Sequence, residues 1–367
     1  MTKSRVQVGV IGTGNIGKAH LTSILSLKEC RLLDVDVVAV CDSDPDSLKG
    51  ATEFFGIPKG YRSFKDLVVD KDVDVAYVCT PTNLHPEMVR AIAKANKPVF
   101  CEKPLAHTHI QANDLLTVTR KARVPTGIGL VLRFDQFLLY AKSLIQTHNL
   151  GTPMLMHIRD DQGFPVGFMN YSQWRGDRKA AGGGTLIEHS IHDIDLFRWF
   201  FGEVESVYAK VGFYADKEVE DHASVILTHK TGAVSTLDSV WHWVERPSER
   251  MIELFFEKGY IAIHLGSDER YLEFRLQGKD SVKVTKEMAD PALLDRLGLE
   301  SKDIPEDGND VLTALGGERY AALNYSFLSS VQQGKKPSPD FADAVEAHKV
   351  VDAAYESSRQ SSRIELE

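Results

Sequence analysis

A histidine lies at helical spacing from two acids in the second half of the chain, shortly after three consecutive glycines. At about 100° per residue, a helix would place Glu188, His192, Asp195 and Trp199 on one narrow stripe. Apolar residues cover most of the remaining helix surface, which is typical of a buried helix. Because an unpaired polar group is costly in a protein interior, an acid and an imidazole on such a helix indicate a chemical task.

Two kinds of chemistry are compatible with these residue types. In hydride transfer from an alcohol, the hydroxyl loses a proton, and a buried His192 is suited to accept it. Glu188, one turn earlier, would orient the imidazole or bind an adjacent hydroxyl. In metal binding, the ligands would be His189 and His192 with Glu188, or His192 with Asp195. However, His189 points about 60° or more away from His192 on an ideal helix, so we expect no metal.

A purely structural explanation is also open for part of the stretch. Thr185 followed by Glu188 fits a capping box at the start of the helix, which would account for both residues without chemistry. Asp195 could pair with Arg198, three residues later. His192 has no such local partner, so the structural explanation is weakest for this residue.

A glycine-rich turn follows the first predicted strand. Residues 6–11 form a short apolar run typical of a buried parallel strand. The run continues into a GxGxxG pattern, Gly12-Thr13-Gly14-Asn15-Ile16-Gly17. The first glycine makes a tight turn, the second lets the backbone approach a pyrophosphate, and the third lets the next helix pack on the strand. Because that helix would point its N-terminus at the phosphates, we expect a dinucleotide site here.

The second predicted strand, at 35–40, ends at Cys41 and Asp42. A carboxylate in this position accepts hydrogen bonds from a ribose 2′-hydroxyl. Its negative charge would repel a 2′-phosphate. Asp42 therefore predicts NAD as the cofactor and disfavours NADP.

Three later strands of the first domain, predicted at 74–79, 98–101 and 126–132, also end in polar residues. Open α/β sheets bind ligands at the carboxyl ends of their strands. We therefore expect the residues that follow these strands to contribute to the cofactor site. They are Thr80, Pro81, Asn83, His85, Glu102, Lys103 and Arg133.

Four segments resemble the glucose–fructose oxidoreductase / inositol dehydrogenase / MocA family. They are the glycine-rich turn, CTPTNLH at 79–85, CEKPLA at 101–106 and the stretch at 182–195. The resemblance implies an α/β protein with an N-terminal Rossmann NAD-binding domain at 1–130. It also implies a C-terminal α/β domain at 131–367, which has an open, mostly antiparallel sheet and serves substrate binding and oligomerisation. The activity it implies is that of a pyridine-nucleotide-dependent enzyme acting on a sugar, cyclitol or related polyol.

The same resemblance implies residue roles. In the family, the lysine of the EKP motif and the histidine of the later helix hold the reacting hydroxyl, which implies Lys103 and His192 as catalytic residues. An aspartate four residues before that histidine commonly completes the group. This chain has Glu188 at that position, which keeps the charge but reaches further. His189 and Ser190 also depart from the family pattern, and they indicate a subgroup with its own substrate.

Candidate substrate contacts lie on both sides of the domain boundary. Arg133 and Asp135 follow the last strand of the first domain, and Trp174 and Arg175 lie in a polar, aromatic loop at 162–178. A tryptophan stacks well on the apolar C–H face of a sugar ring, so this loop could form the rim of the site. The alternative is a surface loop with a core tryptophan. The expected substrate ligands are Lys103, Arg133, Trp174, Arg175, Glu188, His189 and His192.

The second half of the chain is rich in strand-like segments. They lie at 154–159, 204–211, 223–228, 233–240, 251–256, 260–264 and 271–276. Short turns between them predict antiparallel pairing. One face of the sheet would need a cover, and Val240, Trp241, Trp243 and Phe255 favour a second copy of the chain, as a homodimer or homotetramer. The charged segment at 280–309 is interpreted as a surface excursion. Helices are expected at 317–333 and 341–358, and the resemblance implies that the last one packs back towards the first domain.

Composition narrows the class of protein. The chain has 367 residues and a net charge of -9, which argues against binding to nucleic acid or to an anionic membrane. No apolar run approaches the length of a membrane span, and the first residues, MTKSRVQVGVIGTG, leave no room for a signal peptide. The four cysteines are scattered, which is typical of reduced thiols in a cytoplasmic protein.

These features predict an NAD-dependent dehydrogenase that oxidises a secondary hydroxyl of a cyclitol, sugar or sugar derivative. His192 would move the proton and Lys103 would support the developing alkoxide. Two alternatives remain open. One is a redox-neutral enzyme that uses transient oxidation by bound NAD to assist elimination or glycoside cleavage. The other is a non-catalytic dinucleotide-binding sensor.

Overall fold

The computed structural model describes residues 5–166, 172–303 and 319–366. Their mutual contacts divide them into two compact units. The first unit takes the described residues of Met1–Ala106, Ile110–Phe134 and Leu294–Val345. The second takes those of His107–His109, Asp135–Leu293 and Glu346–Glu367. The late segment 319–345 thus belongs to the unit that begins the chain, which the order of the motifs does not indicate.

The first unit is built on a six-stranded parallel sheet in the order β3-β2-β1-β4-β5-β6. This is the strand order of a Rossmann dinucleotide-binding sheet, and it confirms the predicted fold class. The strands are β1 (Val6–Ile11), β2 (Val35–Cys41), β3 (Lys59–Tyr61), β4 (Val75–Val78), β5 (Val99–Cys101) and β6 (Thr126–Ile128). The helices that connect them are α1 (Asn15–Glu29), α2 (Pro45–Phe55), α3 (Phe64–Val69), α4 (His85–Lys94) and α5 (His109–Ala122).

The second unit is built on a nine-stranded sheet in the order β14-β13-β12-β11-β7-β10-β9-β8-β15. Strands β7 and β10 are parallel and the other neighbours are antiparallel, which confirms the predicted open, mostly antiparallel sheet. The strands are β7 (Pro153–Gly163), β8 (Val204–Gly212), β9 (His222–His229), β10 (Val234–His242), β11 (Glu249–Phe256), β12 (Gly259–Gly266), β13 (Arg270–Leu276), β14 (Val282–Val284) and β15 (Ile364–Glu365). The helices before and among them are α6 (Gln136–Thr147), α7 (Arg178–Ala181), α8 (Ile191–Phe201) and α9 (Lys286–Leu297).

Two helices precede the last strand, α10 (Arg319–Gln332) and α11 (Phe341–Gln360). Asp340 caps α11, since its Oδ1 accepts a hydrogen bond of 2.8 Å from the Ala342 amide. Phe341, Ala344 and Val345, from the first turns of α11, pack in the apolar core of the first unit. That core surrounds β1, β4, β5 and β6, whose continuous apolar runs are buried on both faces of the sheet.

The predicted surface excursion at 280–309 was wrong for the part that the structure describes. Residues up to 303 include β14, α9 and a 3-10 turn at Ser301–Asp303, and Ala289 and Leu293 of α9 are almost fully buried. The many charged residues of this segment obscured the apolar pattern of a short strand and a helix in the sequence. Residues 304–309 of the predicted excursion, and 317–318 of the predicted helix at 317–333, lie outside the described residues.

One face of the second sheet carries exposed apolar side chains within the protomer. Burial alternates along β8 to β11, and Tyr208, Ile226 and Phe255 are 47%, 48% and 36% exposed. Trp241, predicted to face outwards, is instead buried against Phe164 with ring centroids 5.2 Å apart. Over the described residues, no helix combines the length and apolar character that a membrane crossing requires.

Candidate active site

In the first unit, the loops after β1, β4 and β5 lie side by side, because these strands are neighbours and parallel. The turn after β1 is tight. Gly12 has a φ of +94°, and a Cβ on it would lie 2.6 Å from the Cys79 carbonyl oxygen. A Cβ on Gly17 would lie 1.9 Å from the Gly12 carbonyl oxygen. The first and third glycines therefore serve packing within the protein.

The second glycine of the turn has a different environment. A Cβ on Gly14 would meet no protein atom within 4 Å. Gly14 is also the N-cap of α1, where no side chain caps the helix and the first turn carries no acid. Asn15 and Ile16 begin that turn. The free space and the positive end of the helix dipole together form a cradle that fits a diphosphate, as an NAD site requires.

Asp42 holds the turn from the side of β2. Its Oδ2 accepts hydrogen bonds of 2.8 Å from both the amide and the hydroxyl of Thr13, and its Oδ1 accepts one of 2.9 Å from the Asp44 amide. A carboxylate has about four acceptor positions. The three protein contacts leave one for a ribose hydroxyl. Asp42 therefore shapes the glycine turn as well as presenting its charge.

His85 links the loop after β4 to the loop after β5 through contacts with one backbone carbonyl of each. Its ring nitrogens lie 3.0 Å from the Pro104 carbonyl oxygen and 2.9 Å from that of Thr80. The side chain is 1% exposed, and burial lowers its pKa. A neutral ring carries one N–H and donates to one of the two carbonyls. Of the neighbouring candidates, Pro81 is partly buried and Asn83 is exposed.

A buried polar network that sequence reasoning missed supports the EKP motif. Glu102 accepts a hydrogen bond of 3.1 Å from the Lys103 amide, and its other oxygen lies 2.8 Å from Nε2 of His20. Nδ1 of His20 lies 3.0 Å from Oδ1 of Asn324, whose amide donates to Ser23. A histidine on the buried face of α1, three residues after Gly17, was the available signal. Asn324 comes from α10, about 300 positions later, and the sequence gave no signal of its contact with His20.

Arg133 lies at the end of the first unit, in a 3-10 turn at Val131–Phe134. Its side chain is 8% exposed and pairs with Asp343 at 3.1 Å. Asp135, in the second unit, caps α6 by accepting from the amides of Phe137 and Leu138. It also pairs with Arg270 and is fully buried. The proposed substrate contact of Asp135 was therefore wrong, because the carboxylate is used by the fold.

In the second unit, the three glycines lead into a single π-helical turn at Thr185–His189, and α8 begins only at Ile191. Gly182 has a φ of +88°, and a Cβ on Gly184 would lie 1.8 Å from the Glu220 carbonyl oxygen. The glycines thus let the chain approach a neighbouring backbone closely. Helical turns of the π type are rare and recur at functional sites.

The predicted capping box was wrong. The hydroxyl of Thr185 lies 2.6 Å from that of Ser239 on β10, and neither the π turn nor α8 has a side-chain cap. Ser190 also donates to Ser239, at 2.7 Å, and the Thr185 amide donates to the Glu220 carbonyl at 2.9 Å. Long-range contacts therefore hold the start of α8. The helical stripe applies to His192, Asp195 and Trp199 but not to Glu188, because the π turn breaks the 100° period.

The structure brings three of the predicted substrate contacts together. Glu188 is 2% exposed, and its Oε2 lies 3.6 Å from Nε of Arg175. The guanidinium of Arg175 lies 5.1 Å from the ring centroid of Trp174. These last two residues lie in a 3-10 turn at Gln173–Gly176. Residues 167–171 of the predicted rim loop lie outside the described residues.

His192 and His189 have separate environments. His192 lies in the first turn of α8 and is 7% exposed. His189, at the end of the π turn, lies 2.8 Å from Asp160 and 3.2 Å from Arg250. Sequence reasoning missed Asp160 and Arg250. The available signal was a single charged residue among the apolar residues that alternate onto the buried face of each strand, Asp160 on β7 and Arg250 on β11. Within the described ranges, no three His, Cys, Asp or Glu side chains are grouped as metal ligands would be.

Comparison with family models extends these observations to most of the chain. Residues 6–130 match the model GFO_IDH_MocA, described as an oxidoreductase family with an NAD-binding Rossmann fold. Residues 138–262 match the model GFO_IDH_MocA_C3, described as the GFO/IDH/MocA C-terminal domain. Both matches agree with the fold of the unit that holds most of the matched residues.

Individual relatives point the same way. The chain is 33% identical over 264 residues to a myo-inositol 2-dehydrogenase of Thermotoga maritima, which covers 70% of this chain and 74% of the relative. It is 25% identical over 369 residues to an inositol 2-dehydrogenase of Rhizobium meliloti, covering 98% and 99% of the two chains. A levoglucosan dehydrogenase solved in complex with NADH and levoglucosan has the same fold, with a TM-score of 0.86, 22% identity and 99% coverage of both chains.

Proposed function

Because the chain belongs to the GFO/IDH/MocA family of oxidoreductases and has an NAD-binding Rossmann domain, we propose that it oxidises a secondary hydroxyl of a cyclitol, sugar or sugar derivative. The observation that carries the proposal is the buried imidazole of His192 in the first turn of α8, directly after the π turn. The inositol and levoglucosan dehydrogenases among its relatives favour a polyol substrate. The substrate is a small molecule and no nucleic acid is involved.

His192 and Lys103 divide the proton chemistry in this proposal. His192 accepts the proton that the reacting hydroxyl loses, since an imidazole changes charge near neutral pH. Lys103 stabilises the developing alkoxide by its charge and by hydrogen bonding. Glu102 fixes the backbone of Lys103 through the amide contact described above. When bound, NAD supplies the acceptor for the hydride from the substrate carbon.

The Glu188, Arg175 and Trp174 group binds the rest of the substrate. Glu188 accepts hydrogen bonds from hydroxyls next to the reacting one, and Nε of Arg175, 3.6 Å from its Oε2, holds the carboxylate in place. Trp174 offers an aromatic face on which a sugar ring can stack. His189 acts on substrate choice indirectly, since Asp160 and Arg250 engage its ring. Arg133, held by Asp343, supports the edge that carries the cofactor.

NAD is held by the backbone of the glycine turn and by the loops after β4 and β5. Gly14, Asn15 and Ile16 line the cradle for the diphosphate, Gly12 and Gly17 give the turn its shape, and Asp42 binds the ribose. Thr80, Pro81, Asn83 and Glu102 shape the neighbouring loops, and His85 ties those loops together. The exposed apolar face of the second sheet forms an interface between copies of the chain in a homodimer or homotetramer.

A screen of NAD reduction tests this function. The protein is incubated with NAD and, one at a time, inositols, aldoses, anhydrosugars, glycosides and sugar acids, and NADH is followed by its absorbance. A steady rise with at least one polyol is expected. Substrate turnover that requires NAD but forms no net NADH would overturn the dehydrogenase in favour of a redox-neutral enzyme. NAD binding without turnover of any of these substrates would favour a sensor.

A further inference from the structure

Three buried charged residues and the half-buried His189 lie at the start of the helix that carries His192, and no proposed step uses them directly. We call Arg250, Asp160, Asp193 and His189 the arginine cluster. Nε of Arg250 donates to Oδ1 of Asp193 at 2.7 Å, and a terminal nitrogen donates to Oδ2 of Asp160 at 2.5 Å. The same oxygen of Asp160 lies 2.8 Å from Nε2 of His189. Arg250 therefore bridges two carboxylates, and one of them also engages the end of the π turn.

The cluster joins three separate elements. Arg250 on β11 lies directly opposite Asp160 on β7 in the antiparallel pair. Asp193 lies in the first turn of α8, immediately after His192. On the buried face, the rows of both strands are apolar up to this point, with Met156 and Ile158 before Asp160. The charges thus replace core residues only where the sheet meets the start of α8.

The position of these charges is costly. Asp193, Asp160 and Arg250 are 0%, 3% and 9% exposed, and taking charged groups out of water carries a large desolvation penalty. Apolar residues of similar size would fill the same space without that penalty. Directional hydrogen bonds from one guanidinium, by contrast, fix the position of their partners in a way that apolar contacts do not.

We propose that Arg250 is a positioning residue, which holds the first turn of α8 against the sheet and thereby fixes the His192 ring for proton transfer. The inference rests on the proposed function for the role of His192. It assigns no contact with substrate to Arg250. His189 takes part in the same positioning, because its contact with Asp160 ties the end of the π turn to β7. The cluster fixes the position of the His192 imidazole. It takes no part in binding NAD, which is proposed to bind at the glycine turn.

Two substitutions test the proposal. Arg250→Met removes the bridge but keeps much of the side-chain volume, and Arg250→Lys keeps the charge but loses the forked geometry. Arg198→Met is the matched control. Arg198 lies at the other end of α8 and pairs with Glu203 at 2.8 Å, so its loss removes an ion pair from the same helix.

Two readouts separate positioning from stability. The first is kcat and KM with the best polyol of the screen, measured well below the unfolding midpoints of all variants. Misplacing a catalytic group costs about ten- to a hundredfold, so kcat should fall by this factor in Arg250→Met and by less in Arg250→Lys. The dissociation constant for NADH should stay within about twofold, because the glycine turn proposed to hold NAD belongs to the first unit and Arg250 to the second. Arg198→Met should keep the kcat of the parent.

The second readout does not need activity. The imidazole signals are recorded in ¹H–¹⁵N spectra, and the signal of His192 is identified with a His192→Gln variant. It should shift or broaden in Arg250→Met and stay unchanged in Arg198→Met. An unchanged signal and an unchanged kcat in a folded Arg250→Met would overturn the proposal. So would the loss of the folded state in both Arg250 variants, which would make the cluster purely structural. If the parent oxidises no polyol, the proposed function fails, and this readout still decides the role of Arg250.

Discussion

The glycine turn of the first unit and the π turn of the second both use glycines to bring backbone close to backbone. They differ in what completes them. Around Gly14 there is open space and an uncapped helix end, so the turn is completed by whatever binds there. Around Thr185–His189 the contacts come from Ser239, Glu220 and the arginine cluster, all of them within the protein.

The geometry of the two turns is therefore fixed by different parts of the protein. The glycine turn is mostly local, since six consecutive residues and the strand before them set its course, with Asp42 and the Cys79 carbonyl as its neighbours. The π turn depends on partners from three strands and a loop, and its side chains act only when the whole sheet is assembled. A substitution in the first region should alter ligand binding, whereas one in the second should alter chemistry.

The largest effect is expected from His192→Ala. Loss of a general base lowers kcat by about 10²–10⁴-fold, and NADH affinity should be unchanged because the cradle of the glycine turn is intact. Steady-state kinetics and NADH fluorescence measure the two quantities. His148→Ala, at an exposed histidine after α6, is the control and should behave as the parent. Full turnover in a His192→Ala protein that still binds NAD would refute the proton-transfer role.

Gly14→Ser should separate binding from stability. Serine is a good N-cap residue, so α1 should be as stable as before, but its side chain would enter the cradle. Displacing one charge-assisted hydrogen bond weakens NAD binding by about 10–100-fold. Gly17→Ser should instead lower the unfolding temperature, because its Cβ would clash with the Gly12 carbonyl. Gly50→Ser, at an exposed and open position, serves as control. Unaltered NAD affinity in Gly14→Ser would place the diphosphate elsewhere.

Asp42→Ala tests the choice of dinucleotide. Without the carboxylate, NAD should bind about tenfold more weakly, since a hydrogen bond to a charged group is lost, and discrimination against NADP should relax. Part of the loss will come from the freed Thr13, which Thr13→Val measures separately. Asp36→Ala, on the same strand, is the control. If the parent already prefers NADP, the interpretation of Asp42 is wrong.

The smallest effect is a pH dependence of stability from the arginine cluster. Burial raises the pKa of Asp193 to about 7, and the nearby Asp160 acts in the same direction. The folded protein therefore holds this proton more tightly than the unfolded chain does. The resulting stabilisation is complete below about pH 4 and is lost as the pH rises through about 7.

Asp193→Asn lacks this dependence. The unfolding temperature of the variant minus that of the parent should increase between pH 4 and pH 8. The increase should be about 2–4 °C for each kcal/mol of unfolding free energy that the parent loses over this range. Thermal unfolding at the two pH values measures the change. Asp238→Asn, an exposed aspartate of β10, should track the parent throughout. A constant difference between Asp193→Asn and the parent would show that Asp193 titrates normally.

Much of the fold could be predicted because its signals are local. The apolar runs before Gly12, Thr80 and Glu102 marked parallel strands, and short turns between β8 and β13 marked an antiparallel sheet. Glycines in the turn after β1 are required by geometry within a few residues, so their pattern survives in the sequence. The fold class and the NAD-binding domain were predictable for this reason.

The error at Thr185 shows the limit of local rules. The spacing of Thr185 and Glu188 satisfied a capping box, but the hydroxyl found a better partner in Ser239, 54 positions later. A π turn then shifted the angular position of Glu188 relative to His192. Asp135 failed in the same way, since its carboxylate is used to cap α6 and to pair with Arg270. For Thr185 the competing partner is the distant hydroxyl of Ser239, and for Asp135 it is the start of α6 together with the distant Arg270.

The order of the elements, the glycine turn and the buried position of His192 could all be predicted from the sequence, because strand and helix periodicity and glycine conformation are properties of neighbouring residues. The tertiary structure alone decided which charges meet. His20 meets Glu102 and Asn324, and Arg250 meets Asp160 and Asp193, across distances along the chain that no spacing rule covers. Buried charges must find partners, but only the packed sheet and helices determine which partners are within reach.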